Sequence, residues 1–144
     1  MDVSDLRQRI LRALEAGKND AALRRSEGDA AVAAFDNFLV TVAVPLLKQA
    51  QSILKAEGQS FTVHSPAGSA KLVADGSSQT FLEFVLDSSG NRPLVIGRVS
   101  IARGSKRVVV DERPIATDKA IKDLGDDEVA AFLVTEIPKI VARG

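Results

Sequence analysis

The stretch that decides the fold reads Phe81-Leu-Glu-Phe-Val-Leu-Asp87, a turn, Leu94-Val-Ile-Gly-Arg-Val-Ser-Ile-Ala102, a turn, then Lys106-Arg-Val-Val-Val-Asp-Glu112. Three runs rich in β-branched residues, separated by glycine-bearing turns, predict three consecutive strands. Strands this apolar need a cover, and the segments on either side have the periodicity of helices that supply one.

Toward the N-terminus the alternation continues. Phe61 and Val63 alternate with Thr62 and His64 in a first strand, Ser65-Pro66-Ala67-Gly68 makes a turn, and Lys71 to Val73 form a second strand. Asp75-Gly76-Ser77-Ser78 is the next turn, and the third strand runs from Thr80 to Leu86. The last hairpin has a definite expected register. With Arg103-Gly104 as a two-residue loop, Ile101 opposes Lys106, Val99 opposes Val108 and Gly97 opposes Val110. Val95, Val99, Ile101, Val108 and Val110 then share the core side, with Arg98 and Arg107 on the other. Gly97 leaves a gap on the core side, for a covering helix or for a bend.

Helical periods flank these strands. Asp2 or Ser4 caps a first helix whose stripe is Val3, Leu6, Ile10 and Leu14, and Gly17 is its expected stop. Asn19 or Asp20 caps a short turn through Leu23. So narrow a stripe cannot hold a helix alone, so this one docks on the body or on another subunit. Asp29 caps a long helix to Glu57, with Val32, Phe35, Leu39, Val42, Leu46, Ile53 and Leu54 in phase and Gly58 closing it. Pro45 predicts a kink or a restart within it. After the sheet, Asp118 to Leu124 reads as a short helix stopped by Gly125. Asp126 caps a last helix striped by Val129, Phe132, Leu133, Ile137 and Ile140, and Pro138 bends it or ends it early. The expected architecture is a single α+β domain over residues 1–144, with helices packed on one face of a five-stranded antiparallel meander. Its parts are an N-terminal helical arm (1–28), a long helix (29–57), the meander (59–113) and C-terminal helices (114–144).

Composition narrows the function more by exclusion than by motif. The chain has no cysteine, so disulfides, thiolate metal sites and cysteine nucleophiles are excluded, and the expected compartment is the reducing cytoplasm. Nineteen basic residues balance nineteen acidic ones, leaving no global field toward nucleic acid or an anionic membrane. Tryptophan and tyrosine are absent and the six phenylalanines sit in apolar patterns, which disfavours base stacking. The opening residues lack a basic segment followed by an apolar one, and the apolar run Phe38–Leu47 is about half a bilayer span, so no membrane association is expected.

Candidate chemistry is sparse. His64 is the only histidine, and an enzyme would need it beside a carboxylate; the plainer reading is a strand-end residue. Asp123, Asp126, Asp127 and Glu128 fit no calcium loop, and helix capping accounts for the last three. No phosphate-cradling glycine loop and no nucleophile elbow occurs, and no metal or cofactor is expected. Glu83 and Arg98 read as an exposed cross-strand pair. Arg98, Arg103, Lys106 and Arg107 form a local basic group that would bind an anion if they converged on one face.

Three helical segments and one sheet face all carry apolar stripes, more than one helical layer on one sheet buries. The leading expectation is a non-enzymatic cytoplasmic interaction or accessory protein that self-associates, as a homodimer, or binds a protein partner. The alternative is a carrier of an apolar small molecule held between long helix and sheet, near Phe35, Leu39, Phe84 and Val99.

Overall fold

The computed structural model describes residues 2–104 and 107–141, with the side chain of Arg107 excepted. One helix dominates it. It runs as α1 (Val3–Phe38), a π-helical turn (Leu39–Ala43) and α2 (Val44–Ala56), continuous over 54 residues. Five strands follow among the described residues, β1 (Phe61–His64), β2 (Ser69–Ala74), β3 (Phe81–Asp87), β4 (Leu94–Arg103) and β5 (Arg107–Pro114), then a 3-10 turn (Ile121–Asp123) and α3 (Asp126–Ile140). Each strand pairs with its sequence neighbours, in the order β1-β2-β3-β4-β5, all antiparallel. This is the expected α+β meander.

The helix boundaries differ from expectation. Asp2 caps α1, its carboxylate accepting from the Ser4 N–H at 3.4 Å. The helix does not stop at Gly17 or restart at Asp29. A glycine stop needs the left-handed conformation, and among the described residues the positive-φ glycines are Gly58, Gly68 and Gly104. Within a helix a glycine costs about 1 kcal/mol relative to alanine, which the alanine-, leucine- and arginine-rich flanks offset. Pro45 does not break the helix. The ladder widens ahead of it, with the Val44 N–H bonding to Leu39 O, and Thr41 Oγ1 donates to Asn37 O at 2.7 Å. A π turn is the local device that absorbs a residue unable to donate. Gly58 (φ 79) is the true stop: its N–H bonds to Lys55 O and that of Gln59 to Leu54 O, a Schellman ending.

At the other end, Gly125 rather than Asp126 is the N-cap of α3, and Glu128 accepts the Gly125 N–H at 3.2 Å. Asp126 lies one residue inside, where it still favours the helix dipole. The segment before it forms only the 3-10 turn. Pro138 sits in the last turn of α3, and the helix ends two residues beyond it.

The β4–β5 register is corrected. Val99 opposes Asp111, Ile101 opposes Val109 and Arg103 opposes Arg107. The hairpin closes over a three-residue connection led by Gly104 (φ 69) instead of a two-residue turn. Val99 thus pairs three positions beyond Val108, and an odd shift exchanges the faces. Val108 and Val110 lie on the side of Ser100, opposite the helices, while Asp111 and Arg113 come to the helix side.

The core lies between helices and sheet. Phe35 and Phe38 from α1, Leu39 and Ala43 from the π turn, and Leu47 and Leu54 from α2 cover Leu72, Leu82, Phe84, Val95 and Val99. α3 adds Val129, Phe132, Leu133 and Ile140. Phenylalanine rings thread this layer: Phe38 meets Phe84 edge-on at 6.2 Å, and Phe84 meets Phe132 at 5.5 Å. The gap at Gly97 is filled by α3. A Cβ there would sit 2.4 Å from the Phe132 ring, so glycine is what lets this helix approach the sheet.

Candidate functional site

The same apolar periodicity that docks the long helix on the sheet continues past the body. Ala31 is the first residue of α1 counted in the buried core. Before it, the helix stands clear: Val3, Leu6, Ile10 and Leu14 are 79%, 47%, 50% and 56% exposed. At 100° per residue these four share one side with Gly17, Ala21, Arg24 and Gly28. An isolated helix of this length is marginal in water, and most helical stability comes from burying such a stripe. The arm therefore presents an unmet binding face.

A second apolar surface lies on the body. Between α2 and α3 runs a groove of about 340 Å³ walled by Leu46, Ala50, Ile53, Leu133, Val134 and Ile137. Ile53 and Val134 are 65% and 75% exposed on its rim. It arises because α3 is held to the sheet through Phe132 on Gly97, leaving the outward flanks of two apolar helices unfilled.

Polar groups fall into two clusters. On the sheet face away from the helices, β pairing aligns His64, Lys71, Glu83, Arg98 and Glu112 across all five strands. Glu83 is bridged by Lys71 at 3.5 Å and Arg98 at 3.1 Å, and Arg98 also reaches Glu112 at 2.8 Å. The Glu83–Arg98 pair exists as expected, but Glu83 is only 6% exposed. On the helix side, Glu136 of α3 is 4% exposed and receives Arg113 at 3.1 Å and Lys139 at 3.0 Å. Its Oε2 lies within ion-pair distance of Lys139 without hydrogen-bond geometry. Burial pushes the Glu136 carboxyl up, but the ion pairs with Lys139 and Arg113 together hold it below its ordinary value. Arg113 also stacks over the Phe132 ring at 4.7 Å. Glu136 was not singled out from the sequence. The signal was there: position 136 follows Phe132 by four and Leu133 by three, a carboxylate inside an apolar stripe.

Of the residues expected to bind an anion, the two whose side chains are described, Arg98 and Arg103, do not converge. Arg98 faces away from the helices, between two carboxylates, while Arg103, an odd number of positions on, lies on the opposite face. Lys106 and the side chain of Arg107 lie outside the described residues. Phe35, Leu39, Phe84 and Val99 all belong to the one core, and the Phe38 and Phe132 rings occupy the space beside Phe84. Val99 also borders a cavity of about 220 Å³ with Arg113, Phe132 and Glu136. His64 is exposed, and its one described interaction is electrostatic, with Asp75. Asp75 is held low by the hydroxyls of Ser60 and Thr62. Glu128 is held low by Lys119. Among the described residues no three His, Cys, Asp or Glu side chains are grouped to hold a metal.

Comparison with protein-family models, with curated proteins and with solved structures found no match to this chain. The two apolar surfaces are therefore the features from which function is inferred.

Proposed function

We propose that this is a small non-enzymatic cytoplasmic interaction or accessory protein that self-associates. The observation that carries this reading is the arm from Val3 to Ala30, a helix with an apolar stripe whose described residues join the buried core only from Ala31. A partner that buries the stripe supplies the stability the arm lacks by itself. By length and composition alone, the helix Val3–Ala56 would also cross a membrane, with an 18-residue window of mean hydropathy 1.9. Against that stands the one third of that window buried in the body, since a bilayer span would have to give up the contact of Phe38 with Phe84 of the sheet.

Sedimentation velocity of the purified protein across micromolar concentrations tests the reading. A dimer at twice the 15.3 kDa chain mass is expected. A species that stays at chain mass up to about 100 µM, a range far above specific-dimer dissociation constants, sinks it.

The α2–α3 groove favours a second reading, a carrier of an apolar small molecule. Its volume, about 340 Å³, is within the range of ligand pockets, and its walls are almost wholly apolar. The seat would then be between two helices, rather than between helix and sheet. Native mass spectrometry of freshly purified protein would show extra mass released on denaturation; a bare chain mass speaks against it.

A further inference from the structure

We infer that the open edge of the sheet, strand β5, pairs antiparallel with β5 of a second copy of this chain, with Val109 on the two-fold axis. The inference rests on the self-association proposed above and adds to it a surface other than the arm.

The two edges of the sheet are finished differently. At one, β1 is four residues long, and its outward Val63 N–H donates to Gln51 Oε1 of α2 at 2.7 Å, so a helix side chain closes the edge. At the other, β5 runs for eight residues, with Val108, Val109 and Val110 44%, 38% and 46% exposed. The Ile115 N–H bonds to Val95 O, and in an antiparallel ladder such contacts recur at every second residue. Arg107, Val109, Asp111 and Arg113 therefore turn their backbone groups to β4, while Val108, Val110 and Glu112 turn theirs outward. Among the described residues these outward N–H and C=O groups have no backbone partner. An unpaired, apolar edge of this kind is a template for another strand.

The sequence says which strand. Residues 106–112 read Lys-Arg-Val-Val-Val-Asp-Glu, basic at one end, acidic at the other and valine between. Laid antiparallel on itself, such a run sets base against acid at both ends. The backbone restricts the register, because outward residues must face outward residues, which pairs even numbers with even. Centred on Val109, Val108 faces Val110 and Arg107 faces Asp111, each twice by symmetry. Centred on Val110, Arg107 would meet Arg113; centred on Val108, Arg107 would meet Val109 and its charge would go unmatched. An in-register parallel pairing sets like charges side by side. The closed β1 edge accepts no further copy, so the sheet stops at two chains instead of growing. A pairing this short buries less than the roughly 1,200–2,000 Å² of a stable complex, so it supplements another surface rather than holding a dimer alone.

The chain contains no cysteine, so single-cysteine variants report the geometry cleanly. Val109 and Asp111 are both exposed. On the axis, the thiol introduced by Val109→Cys faces its own symmetry mate at a non-hydrogen-bonded position, with Cα atoms about 4.5 Å apart and inside the disulfide range. Asp111 and its symmetry mate are offset by about 13 Å along the strand, beyond reach. Under mild oxidation Val109→Cys should give roughly tenfold more cross-linked dimer than Asp111→Cys, given that reach limit. Adding Asp111→Lys to Val109→Cys should cut the yield roughly fivefold, and adding Arg107→Asp as well should restore it, because the charges are then exchanged and still opposed. Equal cross-linking of the two single-cysteine variants overturns the inference. So does a higher yield from a mixture of Val109→Cys with Asp111→Cys than from Val109→Cys alone, which shifts the register by two. In both cases a wild-type dimer in sedimentation leaves self-association standing. A wild-type chain that sediments as a monomer overturns the self-association reading, and the edge pairing with it.

Discussion

The two halves of the long helix have similar periodicity and opposite fates. From Ala31 onward the stripe meets the sheet: Phe35 and Phe38 are buried and stacked, and Phe38 leans edge-on against Phe84. From Val3 to Leu14 the stripe stays open to solvent, left uncovered by the described residues of its own chain. The body half carries aromatic and large aliphatic residues, the side chains that contribute most on burial. The arm half carries Val3, Leu6, Ile10 and Leu14 and then, on the same side, only Gly17, Ala21, Arg24 and Gly28, a pattern poor for a core. Hydrophobic pattern alone therefore does not say whether a helix face belongs inside a domain or between two; the size of the residues on it does more.

The widest separation between the halves is expected from a pair of substitutions. Phe84→Ala removes the ring that both Phe38 and Phe132 touch, and should cost about 3–5 kcal/mol of folding stability, read from denaturant unfolding. Leu14→Asp on the arm should change folding of the body by less than about 0.5 kcal/mol, as surface substitutions do. It should instead weaken dimerisation by at least roughly tenfold, since burying a leucine is worth on the order of 2 kcal/mol. If Leu14→Asp lowers the unfolding midpoint as Phe84→Ala does, the arm is part of the core and the contrast is lost.

A smaller effect tests how α3 is seated. Gly97→Ala puts a methyl into the Phe132 ring, and should destabilise by roughly 1–3 kcal/mol, as overpacking does. Adding Phe132→Ala should then cost less than it does in the wild-type background, because the two residues compete for one space. Strict additivity in equilibrium unfolding would mean that the ring does not rest on Gly97.

Glu136 gives a pH-dependent contrast with the charges of the arm. Its folded-state pKa is held below the ordinary 4.5, so its carboxylate stabilises the fold above that pH. That contribution disappears as pH falls through the folded-state value. Glu136→Gln should therefore be less stable than wild type at neutral pH, and the two unfolding curves should converge in acid. A constant gap across about pH 2–5, the carboxylate range, would show that packing rather than ionisation is at stake.

The strands, their order, the stop at Gly58 and the vacancy at Gly97 were legible in the sequence, because each is set by local chemistry: alternation, turn residues, a left-handed glycine, a missing side chain. The continuity of the arm through Gly17 and Gly28 was not, because a glycine marks a stop only when its φ is positive, and composition does not reveal φ. The β4–β5 register was misplaced by treating Gly104 as the second residue of a two-residue turn; a three-residue connection has the same glycine and the opposite facing. Of the candidate site, the arm stripe was visible from the start. The α2–α3 groove was not, since it depends on how far apart two helices stand, a tertiary quantity set by Phe132 on Gly97. Glu136 was hidden by its neighbours' regular stripe.

The smallest effect is expected at the single histidine of the chain. His64 ends β1 at the rim of the charged row, next to Lys71 in register and exposed to water. Its described interaction is through space with Asp75, whose carboxylate is already held by Ser60 and Thr62. Removing an exposed side chain in such a place changes folding by less than about 0.5 kcal/mol. His64→Ala should therefore leave the unfolding curve and the sedimentation profile unchanged. If His64→Ala shifts the dimer equilibrium instead, the sheet face opposite the helices takes part in assembly, and the division between a satisfied body and an unsatisfied arm would have to be redrawn.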